Sequence, residues 1–484
     1  MAPVLLAIFG IAFFGVCVWF RLKPQIKFNW LPVGGFLVVL VGSVFGRDFF
    51  AIEGGPIPIT LDRVLLAGLL GLMAWRMLGR EESIRRFNLV DVVAMLWVSF
   101  LIWSTITHDW KYLQNMPLAR LLFFNLMPLA LYFLVRNARL TVKDLKWISI
   151  MMGVLGVYLA FTALAEVRDF SAVVFPKYIM TSETTEFLGR GRGPFLNPVS
   201  NGIFMTGGFC CLLMWWPRVN RSRQVLVMGV ALLLALGVYS TLTRSIWLSF
   251  IIACGLFIWL PSDRQLKGAM IIAATLVGIL AFPVIGDKIF SFKRDKEVSV
   301  GDMEISAQMR PMFAIVAWNM FKDRPILGVG FGQYGQTKHP YLTDPRSGKP
   351  LSITKTLTQH NVFLAYLTEM GLVGVCCLSM LLLVMAKVSW DTWSATGLDL
   401  WARQFGLLAC VLLACYSVNG MFHDVAIIPQ NHMLLFFMVG LANNIYSDKA
   451  SFVVAVADQP AVEATANRGV ERKLPGPFQT PLYS

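Results

Sequence analysis

The chain has 484 residues, of which 56% are hydrophobic and only 14% charged, against about 25% charged in soluble domains. Charge is missing from many runs of about 17–25 residues, the length that crosses a bilayer, which excludes a soluble globular domain. The net charge of +14 does not point to nucleic acid, because lysine and arginine fall mainly in short loops on alternate sides of the apolar runs, as the positive-inside rule describes.

Thirteen candidate spans follow in order, near 3–20, 29–46, 60–78, 89–107, 117–135, 145–165, 200–216, 224–241, 245–260, 268–285, 361–386, 402–422 and 431–447. Losing the first, or fusing two, gives twelve. The first starts directly after Met1-Ala2-Pro3, and Arg21, Lys23 and Lys27 come behind it. A secretory signal has its charges in front, so this run reads as an anchor with its N-terminus outside. Basic linkers follow the odd-numbered spans: Arg21 and Lys23, Arg80 with Arg85 and Arg86, Arg136 with Arg139, Arg218 with Arg221 and Arg223, Arg264 with Lys267. Placed in the cytoplasm, they leave 47–59, 108–116, 166–199, 242–244, 286–360 and 423–430 on the outer side. The class expected is an all-α polytopic membrane protein of 12–13 transmembrane helices, with one large outer loop, 286–360, carrying short helices. Residues 1–184 form its N-terminal helices, 185–447 the part with the loop, and 448–484 a disordered cytoplasmic tail.

No tandem repeat is visible, nor a pair of Gly/Pro-broken spans in matching halves of the kind transporters show. The eight cysteines (17, 210, 211, 254, 376, 377, 410 and 415) all lie in apolar runs without C-x-x-C spacing, so neither a disulfide framework nor a metal site is implied. The five histidines, His108, His339, His360, His423 and His432, fall on or beside outer loops. Since imidazole titrates near neutral pH, the outer face is the chemical face.

Several constellations stand out there. In 166–201, Gly189-Arg190-Gly191-Arg192-Gly193-Pro194-Phe195-Leu196-Asn197-Pro198 precedes Asn201 and a span. Glycines admit a ligand close to the backbone, and guanidinium forks suit phosphate oxygens; a basic surface turn is the plainer alternative. Arg244, in Thr243-Arg244-Ser245, sits at the outer mouth between two spans, where charge finds a partner or a ligand or snorkels to the interface. Arg120, after Asn115-Met116-Pro117, has the same ambiguity. In the long loop, 304–322 reads as an amphipathic helix with Met312, Ile315, Val316, Trp318 and Met320 on its apolar side and Arg310 near its start. Gly328-Val329-Gly330-Phe331-Gly332 then follows neither a strand nor opens a long helix, so it reads as a tight turn rather than a dinucleotide fingerprint. His360 closes the loop with Gln359 and Asn361 as hydrogen-bonding or capping neighbours. In Phe422-His423-Asp424 the carboxylate could hold a histidine or an arginine in place. No H-E-x-x-H, G-x-S-x-G or P-loop occurs, and no outer D-x-D to hold a metal and a diphosphate, so arginines would supply the positive charge for such a ligand.

These pieces resemble the O-antigen ligase and polymerase superfamily of bacterial envelope glycan assembly. His360-Asn361, nine residues and Gly371-x-x-Gly374 are similar to the ligases' H-[N/S/Q]-x9-G-x-x-G, and Arg244-x-x-x-Leu248 to their R-x3-L. Arg192-Gly193-Pro194-Phe195-Leu196-Asn197-Pro198 is similar to the R-x-G-x-F-x-N-P run. Arg310, Trp318 and Pro325-Ile326-Leu327-Gly328-Val329-Gly330 resemble the R…W…P-L-x-G-x-G stretch of the superfamily's periplasmic loop. The resemblance covers about 185–445 and departs in an extra N-terminal span and a charged tail.

It implies an inverting glycosyltransferase of the bacterial inner membrane that needs no metal or other cofactor. The donor would be an undecaprenyl-diphosphate-linked glycan and the acceptor a lipid A-core, glycan or protein, brought together at the periplasmic face among membrane lipids, with no nucleic acid. Carried over, Arg192, Arg244 and Arg310 would neutralise the diphosphate leaving group, and His360 would act on the acceptor hydroxyl. Arg120, Asn197, Asn361 and Asp424 would support substrate binding. A polymerase or protein O-oligosaccharyltransferase of the same superfamily is the nearest alternative. A lipid-linked glycan transporter would place charge mid-span and show internal symmetry, and a non-catalytic scaffold would tolerate substitution at all these positions.

Overall fold

In a computed structural model, the structure describes residues 30–46, 49–52, 58–78, 85–111, 116–181, 187–260, 265–272, 275, 300–343 and 348–453. The expected span 3–20, most of 268–285, the loop segment 286–299 and the tail beyond 453 lie outside them.

Every described span is helical: α1 (Trp30–Val44), α2 (Leu61–Leu78), α3 (Leu89–Ile106), α4 (Pro117–Asn137), α5 (Val142–Val167), α6 (Pro198–Leu213), α7 (Arg221–Ser240) and α8 (Arg244–Trp259). They are followed by the loop helix α9 (Val300–Asp323), then α10 (Val362–Ser394), α11 (Leu400–Gly420) and α12 (Pro429–Ser447). Seven of these are long and apolar enough to cross a bilayer, and α1 and α8 are shorter apolar helices. The chain is therefore an all-α polytopic membrane protein. Its loop carries the helix expected over 304–322, here Val300–Asp323 and 24 residues long.

Local chemistry sets the helix starts. Asn88 with Asp91 and Thr141 with Asp144 form capping boxes at α3 and α5, satisfying amides that a helix start leaves open. Pro198 and Pro429 take the first positions of α6 and α12, where no amide is needed. Small residues let helices approach: the Gly156 and Gly208 backbones of α5 and α6 meet so closely that a Cβ at either would lie about 3 Å from the other's Cα. In α4 the turn Arg120–Leu126 is π-helical. Pro128 lacks the amide that Phe124 O would otherwise receive, and His432 Nδ1 takes its place at 2.5 Å. A carbonyl only accepts, so Nδ1 carries the hydrogen and Nε2 accepts from the Tyr416 hydroxyl at 2.7 Å. His432 is thus a buried structural residue in the first turn of α12, beside the outer turn that precedes it.

Linkers gather at two ends, as the alternation of charge requires. At one, Arg85 meets Asp448 (3.2 Å) and the buried Arg136 meets Asp91 (2.5 Å). There the chain also stays ordered past 448, with Phe452 buried and Leu398 bridged to Val453, so the disorder expected from 448 does not include these residues. At the other end, Phe331 N donates to Ser104 Oγ (3.0 Å), Gln333 Nε2 to Asp109 O (2.9 Å) and Asn361 Nδ2 to Met421 O (2.8 Å). That end holds the loop helix and every candidate site residue.

Candidate functional site

The site is built around a break in α10. Gly371 has φ 62° and ψ −160°, a conformation essentially confined to glycine, in the middle of a 33-residue helix. A break strands carbonyls before it and amides after it. The segment Pro325–Gly330 lies in the gap and pairs them. Val329 N donates to Thr368 O (3.0 Å) and Gly330 N to Glu369 O (2.8 Å), while Leu372 N donates to Pro325 O (2.8 Å) and Val373 N to Ile326 O (3.2 Å). A Cβ on Gly328 would lie 2.5 Å from the Glu369 carbonyl, and one on Gly371 would overlap Ile326 O. The glycine-rich run is therefore not the isolated turn its sequence suggests. It is one half of an interlock whose other half is Gly371.

Glu369 closes the interlock from inside. Its Oε2 accepts from Gly332 N (2.9 Å) and its Oε1 lies 3.6 Å from Arg120 Nη1. Arg120, Glu369, Tyr366, Asn125 and Asp424 line one small cavity, into which the π-helical turn of α4 also faces. Arg120 Nε and Asp424 Oδ1 are buried there without a hydrogen-bond partner among the described residues. Burial pushes the Asp424 carboxyl up to about 6; the Arg120 charge opposes the rise and Glu369 adds to it. Reading the sequence did not single out Glu369. The available signal was an ionisable residue inside an apolar run, which marks a functional or paired site by default.

Three further residues, from separate segments, feel one another's charge. Arg244 occupies the first turn of α8, Arg310 lies on α9, and His360 sits between the loop and α10. Desolvation and, second, the Arg244 charge hold the Arg310 guanidinium below its ordinary range. Burial and, second, the Arg310 charge hold the His360 imidazole below its ordinary value, so it is neutral at pH 7. The His360 ring stands 5.2 Å from that of Phe313, and Arg310 lies over the Phe422 ring at 5.4 Å. His360 has φ 51°, a left-handed conformation rare for a non-glycine residue. Asn361 caps α10, accepting from Leu364 N (3.0 Å), and ties the last outer turn through Met421 O.

Arg192, expected on the diphosphate, and Asn197, expected to support substrate binding, both make contacts within the protein. Arg192 is 1% exposed; its Nε meets Glu166 Oε1 at 3.0 Å and its Nη2 donates to Ile179 O at 2.9 Å. Glu166 Oε2 also accepts from Gly193 N (2.9 Å), so this motif folds the 187–197 loop onto the end of α5. Asn197 caps α6, accepting from Val199 N and Ser200 N. On α9, Met312, Val316 and Met320 are buried as expected, whereas Trp318 is 54% exposed and borders an open apolar groove with Ile315 and Leu364.

The site thus lies in an all-helical membrane bundle, with Arg310 on the loop helix, Arg244 at the start of α8 and His360 just before α10. A family model described as O-Antigen ligase matches residues 229–379. The matched stretch runs from α7 to the Gly371–Gly374 segment of α10 and contains Arg244, Arg310, His360 and Glu369. Over this stretch the protein matches the O-antigen ligase superfamily. No curated protein matches the chain.

Proposed function

We propose that the protein is a glycosyltransferase that moves a glycan from an undecaprenyl-diphosphate carrier to an acceptor hydroxyl at the periplasmic face of the bacterial inner membrane. Ligase action is favoured over polymerisation. The observation that carries this reading is that His360 packs against Phe313 on the helix that bears Arg310, itself over the Phe422 ring, with the Arg244 charge acting on Arg310. Two guanidiniums that repel one another are relieved by an anion between them, and a diphosphate offers oxygens for both. In the transfer, the bond from the anomeric carbon to the diphosphate oxygen breaks as that carbon bonds to the acceptor oxygen, and the acceptor proton passes to neutral His360. Preorganised positive charge on a departing anion is a large catalytic contribution, which the two arginines would supply without a metal. Arg192 is left out because its charge is already met by Glu166.

The test is surface glycan in cells that carry His360→Ala or Arg244→Ala as the sole copy, with membrane insertion checked. Loss of acceptor-linked glycan with carrier-linked glycan accumulating is the expected result. Normal linkage in correctly inserted variants would remove the assignment.

A further inference from the structure

Lys338 is 3% exposed in the small core beneath α9, outside the group of residues just described. Its Nζ donates to Thr354 O at 3.0 Å and Leu357 O at 2.6 Å, and lies 5.0 Å from the centroid of the Tyr334 ring. Burying an ammonium against carbonyls alone is costly, and a methionine of similar length would fill the space without that cost. Burial pushes the ammonium down to about 8, so it still carries its charge at neutral pH.

The two carbonyls belong to the segment that leads into His360. The left-handed backbone of a histidine is strained and persists only where its surroundings over-determine it. On the downstream side Asn361 is fixed as the cap of α10. Gln359 Nε2 reaches Thr368 Oγ1 at 3.0 Å. Gln359 is thus the nearest upstream tie, and Lys338 is the next, at Leu357 and Thr354. Its own anchorage is the short helix Tyr334–Thr337, which follows Gly332 and Gln333, held by Glu369 and Asp109 O. Lys338 thus connects the rigid interlock to the chain that presents the imidazole.

We propose that Lys338 is a positioning residue for His360, clamping the Thr354 and Leu357 carbonyls so that the imidazole is held in one place. The proposal rests on the reading of His360 as the group that meets the acceptor hydroxyl. Purified full-length Lys338→Met, Lys338→Gln and His360→Ala are compared with wild type in glycosyl transfer per folded protein, with amide exchange followed over 357–361. A misplacement on the order of 1 Å lowers rates about 10²-fold, so Lys338→Met is expected to lose about that in kcat. The donor KM should stay within about threefold, because the clamp does not touch the donor. Exchange over 357–361 should quicken, and Lys338→Gln, which keeps a donor, should fall between. Unchanged kcat, or a loss of donor affinity at full kcat, overturns the proposal. If His360→Ala proves active, the reading of the site fails on its own, and exchange then decides the clamp: faster exchange in Lys338→Met upholds it and unchanged exchange overturns it.

Discussion

Gly371→Ala tests the interlock. The residue's φ of 62° with ψ of −160° costs a side-chain-bearing residue about 1–3 kcal/mol. A Cβ there would also meet the backbone of Ile326, and Gly328 N at 2.7 Å, atoms that cannot rotate aside. Moving them breaks the bonds from Leu372 N and Val373 N to Pro325 O and Ile326 O, worth about 1 kcal/mol each. The sum is about 3–5 kcal/mol against the docked segment. The assay is thermal unfolding in detergent together with protease protection of 325–332. Gly153→Ala on α5 serves as control, since a Cβ there meets nothing within 4 Å and alanine favours a helix over glycine by about 1 kcal/mol. The expected outcome is a lower melting temperature and an exposed segment for Gly371→Ala, with neither for Gly153→Ala. Equal protection and equal melting temperature in both would refute the interlock.

Other outcomes follow from the charges. Because burial and Arg310 hold His360 below its ordinary value, activity should persist into mildly acidic pH and fall only as the imidazole gains its proton. Arg310→Ala should move that acid limb to higher pH, read from the pH profile of kcat/KM; an unmoved limb would separate the two residues. In stability the same shift has the opposite sense to a salt-bridged histidine: folding keeps His360 neutral, so its contribution is present above the unfolded value near 6.5 and is lost as pH falls. Asp424 is raised to about 6 against an unfolded value near 3.8, so folding retains a proton there and stability drops as pH rises through that window. Asp424→Asn should flatten that slope in melting curves at pH 4 to about 7. Arg192→Ala strands the buried Glu166 and should cost about 3–5 kcal/mol, seen as loss of folded protein rather than as a raised donor KM.

Much of this architecture is written locally. Runs without charge mark the spans, Asn88 and Thr141 mark helix starts, and alternating basic linkers sort the loops that meet at each end. Arg244 was singled out as charge at an outer mouth and His360 as an imidazole closing the loop, whereas Arg310, on a loop helix, was singled out only through the resemblance. What escaped depends on partners far along the chain. Glu369 and Gly332 are 37 positions apart, and Glu166 and Arg192 are 26, so neither pairing leaves a periodic trace. Arg192 therefore looked like a ligand for anions when its partner was already inside the protein. The break at Gly371 is likewise silent in hydropathy, because the run on either side stays apolar. Trp318 followed the apolar period of its helix, yet the core beneath α9 is closed by Met312, Val316 and Met320 and leaves the indole outside.

The central claim is settled most directly by purified full-length protein supplied with a defined carrier-linked glycan and candidate acceptors, with chelator present. The account predicts acceptor-linked product from wild type, unaffected by the chelator, and none above background from His360→Ala or Arg244→Ala. Transfer at the wild-type rate by either folded variant would contradict it.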